Sequence, residues 1–206
     1  MGETKVLLHT CCAPCSSAII EAMLQNGMTP VIFYCNPNIY PYEEYLIRKN
    51  ECTRYAESLG LEIIDDDYDH EGWLQAVKGM ENEPERGGRC LKCFKLRLLR
   101  TAEYAASRSI KVITTTLASS RWKSLDQINE AGQWACKKVR GDLSTPLEMT
   151  EGELEMTTIP VWWDQNWRKG GLQERRLQII KEYDFYNQLY CGCEFSMRKE
   201  DQSTGE

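Results

Sequence analysis

Short apolar runs alternate with longer stretches of helical periodicity along this chain. Residues 5–9 read as a brief buried strand, and 29–34, 61–64 and 112–117 read the same way. Between the first two runs, residues 16–25 place Ala18, Ile19, Ala22 and Met23 at helical spacing, and Asn26-Gly27 supplies a stop. Residues 42–59 predict a long helix closed by Gly60, and 73–80 a short one. Residues 90–108 carry Leu91, Phe94, Leu98, Ala102 and Ala105 along one face. Residues 125–139 and 172–183 predict the last two helices. Strands alternating with helices predict an α/β fold built on a doubly wound, mostly parallel sheet.

A chain of 206 residues suits one domain over 1–206. An acidic, irregular loop is expected at 144–160, and a polar, frayed tail at 199–206. In open α/β sheets, ligands bind at the carboxyl ends of the strands, beside the switch in strand order. Cys11, Cys12 and Cys15 follow the first strand, and Cys35 and Asn36 the second. Asp65 to Asp69 follow the third, and Ser119 to Lys123 the fourth. Several polar and thiol-bearing loops therefore fall on one rim.

Net charge narrows the partners. At −6, the whole surface does not suit non-specific nucleic-acid binding. A local basic face is still present around Arg86, Arg89, Lys92, Lys95, Arg97 and Arg100, with Arg121 and Lys123 further on. Any one such cluster reads most simply as a solvated helix face. Beside cysteines, it also suits a phosphate-bearing substrate. No apolar run approaches a membrane span, and Met1-Gly2-Glu3 leads directly into the first strand with no signal peptide. A cytoplasmic location is expected, where thiols stay reduced.

The ten cysteines then decide the chemistry. Cys11-Cys12 with Cys15, the pair Cys90/Cys93, and Cys191-Gly192-Cys193 form three tight groups. Thiolates select iron–sulfur clusters, zinc or copper(I). Cys90 and Cys93 are one helical turn apart, which puts both on one face. Adjacent Cys11 and Cys12 suit a cluster better than one small ion, so two pairs supply a four-cysteine set. The competing reading is a closed zinc site, but the chain offers only His9 and His70 beyond its thiols. Gly192 lets the CxC backbone bend toward one ligand, either a second metal or a redox disulfide. Cys15 falls on the first turn of a helix, where the dipole lowers a thiol pKa. Cys35, Cys52 and Cys136 stand alone and read as buried structural thiols.

Five motifs in order, LLHTCCAPCSS, FYCNPNIYPYEEYLIRK, ERGGRCLKCFKLRL, TTTLASSRWKS and NQLYCGCEFS, resemble the QueH family of epoxyqueuosine reductases. The resemblance runs through nearly the whole chain. It implies a fold similar to HUP and PP-loop nucleotide-binding proteins. It implies reduction of the epoxide of epoxyqueuosine, at the wobble position of tRNA with a GUN anticodon, as the last step of queuosine synthesis. It also implies a 4Fe–4S cluster, an additional iron ion, and an electron donor such as ferredoxin or flavodoxin.

Carried over, Cys11, Cys12, Cys90 and Cys93 match the cluster ligands. Cys191 and Cys193 match the second iron or an electron relay, and the pairs are open to exchange between the two centres. Asp69 and Asp164 are candidate carboxylate ligands, each also readable as a solvated turn residue. Tyr190, His9 and Asp69 are candidate proton donors, and Asn36 and Asn38 candidates to orient ring hydroxyls. Arg86, Arg89 and Lys123 are candidates to meet anticodon phosphates. Trp73, Trp122, Trp162, Trp163 and Trp167 include candidates to stack on bases, although most tryptophans are core. The chain has TCCAPCSS where PP-loop proteins have a phosphate-gripping glycine loop, so ATP use is not expected. Two other readings compete: a zinc-stabilised nucleotide-binding protein, and a PP-loop-type sulfur-transfer enzyme acting on tRNA.

Overall fold

The buried run Val6-Leu7-Leu8 becomes the centre of the sheet, because it is apolar on both faces and so must be covered on both. The structure, a computed structural model, describes residues 4–143 and 158–197. Five parallel strands lie in the order β3-β2-β1-β4-β5. They are β1 (Thr4–His9), β2 (Met28–Tyr34), β3 (Ile63–Asp65), β4 (Val112–Thr115) and β5 (Val161–Trp162). Leu7 pairs with Val31 on one side and with Ile113 on the other. The order reverses between β1 and β4, so the loops leaving these two strands flank the switch point.

Six helices complete the described fold. They are α1 (Ala13–Gln25), α2 (Tyr42–Ser58), α3 (His70–Ala76), α4 (Gly88–Ser107), α5 (Leu125–Leu143) and α6 (Leu172–Glu182). Right-handed crossovers send α1 and α2 to one face and α4 and α5 to the other. The helix contacts agree: α1 packs on α2 and α6, and α4 on α5. α1 starts earlier than its apolar spacing suggests, since Pro14 fits the first helical turn. α3 starts at His70 because Asp69 caps it, its carboxylate accepting from the Gly72 N–H at 2.9 Å. The fourth apolar run splits into β4 and a 3-10 turn, Thr116–Ser119.

The strand β5 has no counterpart in the sequence reading. It is two residues long, on the sheet edge, with Val161 exposed. Gly132 of α5 makes room for it, since a Cβ there would sit 2.2 Å from the Trp162 ring. The expected loop at 144–160 lies outside the described residues except for 158–160, which have no regular structure, and the tail at 199–206 lies outside them entirely. Among the described residues, no helix is long and apolar enough to cross a membrane.

Candidate metal centre

The loop after β1 delivers the first thiols. Cys12 is the N-cap of α1, with Cys11 before it and Cys15 in the first turn after it. The three sulfurs lie within 4.8 Å of one another, and those of Cys11 and Cys12 are 3.9 Å apart. Thr116, leaving β4, fixes this group across the switch point. Its Oγ1 accepts from the Cys11 N–H at 3.2 Å and lies 3.5 Å from the Cys11 sulfur. Hydrogen bonds from Cys12 and Cys15 hold the Cys11 thiol well below its ordinary pKa. The same contacts with Cys11 push Cys12 well up and Cys15 up to about 11. Its place on the first helical turn suggested a lowered value for Cys15, and the contact with Cys11 is what raises it.

His9 ends β1 directly beneath these thiols. Its Nε2 lies 3.1 Å from the Cys35 carbonyl, which can only accept, so Nε2 carries the proton. Nδ1 then accepts from the Thr115 hydroxyl at 2.7 Å. Burial, with the Arg97 charge behind it, lowers the His9 pKa to about 3. Both ring nitrogens are engaged within the fold, which makes His9 a neutral brace across β1, β2 and β4.

The second and third groups share one narrow cavity. Cys90 and Cys93 come from the first two turns of α4, and Cys191 and Cys193 from the segment before a 3-10 turn, Glu194–Ser196. All four line the cavity with Asn38 and Trp73. The Asn38 Oδ1 and Trp73 Nε1 are buried without a hydrogen-bond partner. The Cys90 sulfur accepts from the Arg86 N–H at 3.3 Å. Burial raises the thiol of Cys193 to about 11.

Two cations join the groups. Arg97 is buried and reaches the Cys35 carbonyl at 3.2 Å, the Asn36 Oδ1, and the Cys93 sulfur at 4.0 Å. Burial works against its charge, but the sulfurs of Cys93, Cys11, Cys35 and Cys191 outweigh that and raise its pKa. Lys123, on the loop after β4, behaves alike: burial opposes the charge, while Cys191, Cys11 and Cys15 raise its pKa.

The CxC itself is seated by α2 and the loop before it. Arg48 is buried and donates to the carbonyls of Cys191 and Tyr190. The Tyr40 N–H donates to the Gly192 carbonyl at 2.9 Å, and the Tyr190 hydroxyl to the Tyr40 carbonyl. Gly192 has φ +130, and a Cβ there would press on Ile39 at 3.1 Å, so only glycine fits between the two thiols.

The remaining candidates divide. Asn38 faces the cavity, whereas Asn36 is a brace, donating to the Thr10 carbonyl at 2.9 Å and accepting from Arg97. Arg89 is 2% exposed and donates to the carbonyls of Met80, Glu81 and Glu83, so it does not reach a surface rim. Arg86 is exposed and donates to the carbonyls of Arg121 and Trp122. Asp69 caps α3, and Asp164 is exposed beyond β5. Among the described residues, the compact group of potential metal ligands is Cys11, Cys12 and Cys15, which includes neither aspartate. Cys35, Cys52 and Cys136 are buried and belong to no such group. Sequence reasoning left Cys15 at the edge of the site; its spacing of three from the N-cap Cys12 was the available signal.

The profile of the family described as Epoxyqueuosine reductase QueH matches residues 6–199. The chain is 45% identical over 197 residues to the epoxyqueuosine reductase QueH of Histophilus somni, covering 96% of this chain and 74% of that protein. It is equally similar, at 45%, to that of Haemophilus influenzae, over 96% of this chain and 73% of the relative. Similarity to that of Thermotoga maritima is 29% and spans 98% of this chain and 94% of the relative. With three thiol groups drawn to one rim of a parallel sheet and similarity along nearly its whole length, the chain belongs to the epoxyqueuosine reductase QueH family.

Proposed function

We propose that this chain reduces epoxyqueuosine to queuosine in tRNA, with its thiols holding a 4Fe–4S cluster and an additional iron ion. The observation that carries the metal reading is geometric: the sulfurs of Cys11, Cys12 and Cys15 lie within 4.8 Å of one another, while Cys90, Cys93, Cys191 and Cys193 line one cavity. The donor set fits: buried, soft sulfur ligands, one of them already favoured as a thiolate, with buried cations to balance their charge. Cys11, Cys12, Cys90 and Cys93 are the proposed cluster ligands, and Cys191 and Cys193 serve the second iron or an electron relay. Asp69 or Asp164 would have to leave its present surroundings to become a carboxylate ligand.

Taking the epoxide to an alkene needs two electrons and two protons and releases the oxygen as water. When bound, the iron–sulfur group supplies reducing electrons and Lewis acidity for that oxygen. The chain does the rest. Asn38 Oδ1, unpartnered at the cavity, is an acceptor for a ring hydroxyl of the substrate. Lys123 Nζ keeps its proton at neutral pH and offsets the thiolate charge. His9, neutral and doubly bonded, holds the strand ends in place and moves no proton. The Tyr190 hydroxyl bonds the Tyr40 carbonyl, so donating its proton to substrate would first require that bond to break. A cytoplasmic site and a low-potential donor of the ferredoxin or flavodoxin kind suit this chemistry.

The test is an anaerobic assay with a chemical reductant, following the modified nucleoside by mass. Conversion of epoxyqueuosine in tRNA with a GUN anticodon is expected, with binding that weakens as salt rises. A protein that carries only zinc and leaves the epoxide intact would sink the reading. ATP-dependent sulfur transfer to tRNA would replace it with the PP-loop alternative.

A further inference from the structure

The loop at 120–123 is pinned from beneath while its indole is left in water. Arg86 donates to the carbonyls of Trp122 and Arg121, each at 2.9 Å. Arg168 donates to those of Ser120 at 2.5 Å and Lys123 at 2.7 Å. Each carbonyl of the loop thus accepts from a guanidinium, which fixes the backbone. Trp122 is nonetheless 65% exposed, whereas Trp73 and Trp167 are buried at 2% and 7%. Its ring contacts no other aromatic among the described residues, and the Arg121 guanidinium lies 4.9 Å over it.

The charge around this indole is one-sided. Among the described residues, no carboxylate forms an ion pair with Arg86, Arg121, Lys123 or Arg168. Burial, together with the charge of Arg86, pulls the Arg168 pKa down, as expected of cations crowded without a counter-ion. A chain of net charge −6 therefore keeps Arg86, Arg121 and Arg168 without carboxylate partners among the described residues, beside its thiol rim. The patch is continuous with the site: the Arg86 N–H bonds the Cys90 sulfur, and the same residue's guanidinium holds the carbonyls of Arg121 and Trp122.

We propose that Trp122 is a stacking platform for an unpaired nucleobase adjoining the nucleoside that enters the thiol site. A single rigid indole with arginine on one face leaves the other face for a flat π-system, and the surrounding cations suit the phosphates of the same strand. A lone ring is too small to anchor an apolar protein surface, while it matches one base. Arg86 ties the loop that carries the exposed Trp122 to Cys90, which places the indole beside the nucleoside that enters the thiol site. The proposal rests on the RNA reading above and adds the residue that holds the strand.

The experiment measures binding of a fluorescein-labelled anticodon stem-loop RNA with a GUN loop by anisotropy, with a blunt RNA duplex as comparison. Trp122→Ala is expected to weaken stem-loop binding by roughly tenfold or more, and Trp122→Phe by only about two- to threefold, since base stacking tolerates any aromatic. Duplex binding should change little in either variant, and circular dichroism should confirm an unaltered fold. Equal affinity of Trp122→Ala and the unsubstituted chain for the stem-loop overturns the proposal. So does an equal loss on duplex and stem-loop, which would mark a general charge effect. If the unsubstituted chain reduces the free nucleoside but binds no stem-loop, the RNA reading itself fails and takes this proposal with it.

Discussion

Arg48 and Cys191 are joined across 143 residues of chain: the Nη1 of Arg48 donates to the Cys191 carbonyl at 3.3 Å. The guanidinium is buried on α2 and pairs with Glu44, one turn earlier, at 2.6 Å. Glu44 accepts in turn from the Tyr186 hydroxyl at 2.8 Å. A charge pair on one helix therefore grips the C-terminal segment on both sides of Tyr190, whose ring the guanidinium also faces at 5.2 Å. The CxC thiols depend for their position on a pair that never touches a sulfur.

Breaking that pair should free the tail. Arg48→Ala leaves the Glu44 carboxylate buried without its partner, which typically costs about 3–5 kcal/mol. Urea denaturation should register that loss, and alkylation of Cys191 and Cys193 should quicken. Arg48→Lys is expected to recover less than half of the loss, because an ammonium has no planar fork to span Glu44 and two carbonyls. An unchanged midpoint together with unchanged alkylation would mean other contacts seat the tail.

Arg89 should affect folding rather than substrate affinity. It is buried, holds three backbone carbonyls of the turn before α4, and lies over the Phe195 ring at 5.1 Å. Arg89→Ala strands those carbonyls, and a loss of about 3 kcal/mol or more is expected on unfolding. Lys123→Gln is expected to behave in the opposite way. It should raise KM for tRNA by roughly tenfold with a smaller change in midpoint, as suits a charge that positions substrate. Steady-state kinetics beside thermal melts separate the two, and a larger KM effect from Arg89→Ala would reverse the assignment.

The contrast between these two cations shows where the sequence was legible. Helical and strand periodicity disclosed the α/β order, since burial of β1, β2 and the inner faces of α1 and α4 dictates it. Glycine and cysteine spacing disclosed the CxC bend, because a Cβ at Gly192 has no room. The direction of charged residues was harder to read. Arg89, Cys93 and Arg97 recur every four residues on the buried face of α4, with Phe94 and Leu98 beside them. That spacing marked them as inward, but a run of basic residues reads first as surface. The edge strand β5 left too short an apolar signature, and nothing in the pattern of Asn36-Pro37-Asn38 told which asparagine Arg97 and the Thr10 carbonyl would claim.

One charge pair away from the thiols predicts a pH dependence. Arg175 of α6 makes a two-pronged bond to Glu21 of α1, at 2.6 and 2.8 Å. The hydrogen bond from Arg175 holds the Glu21 carboxyl below its usual 4.5. A depressed carboxylate contributes stability that is present above 4.5 and fades as pH falls through the folded-state value. Glu21→Gln should therefore lower the melting temperature at neutral pH, and the gap should close in acid. A gap that stays constant down the acid limb would mean the contact acts by packing alone.

Two divisions of the thiols lead to opposite variants. With Cys11, Cys12, Cys90 and Cys93 as cluster ligands, Cys12→Ser should strip most iron and sulfide after anaerobic reconstitution. Serine at both Cys191 and Cys193 should then keep the brown chromophore and lose turnover. With the cavity quartet Cys90, Cys93, Cys191 and Cys193 as ligands, those outcomes exchange. The first division is expected for a mechanical reason. Cys11 and Cys12 are fixed between β1, the N-terminus of α1 and Thr116, and Cys90 and Cys93 by the start of α4. These belong to the sheet and its covering helices. Cys191 and Cys193 lie outside that frame, on a segment seated through backbone contacts with Arg48 and Tyr40. Arg48→Ala supplies the deciding arm: it loosens the tail without touching a thiol. Iron and sulfide retained in that variant, with Cys136→Ser as the inert control on α5, support the first division. Their loss would assign the cluster to the tail.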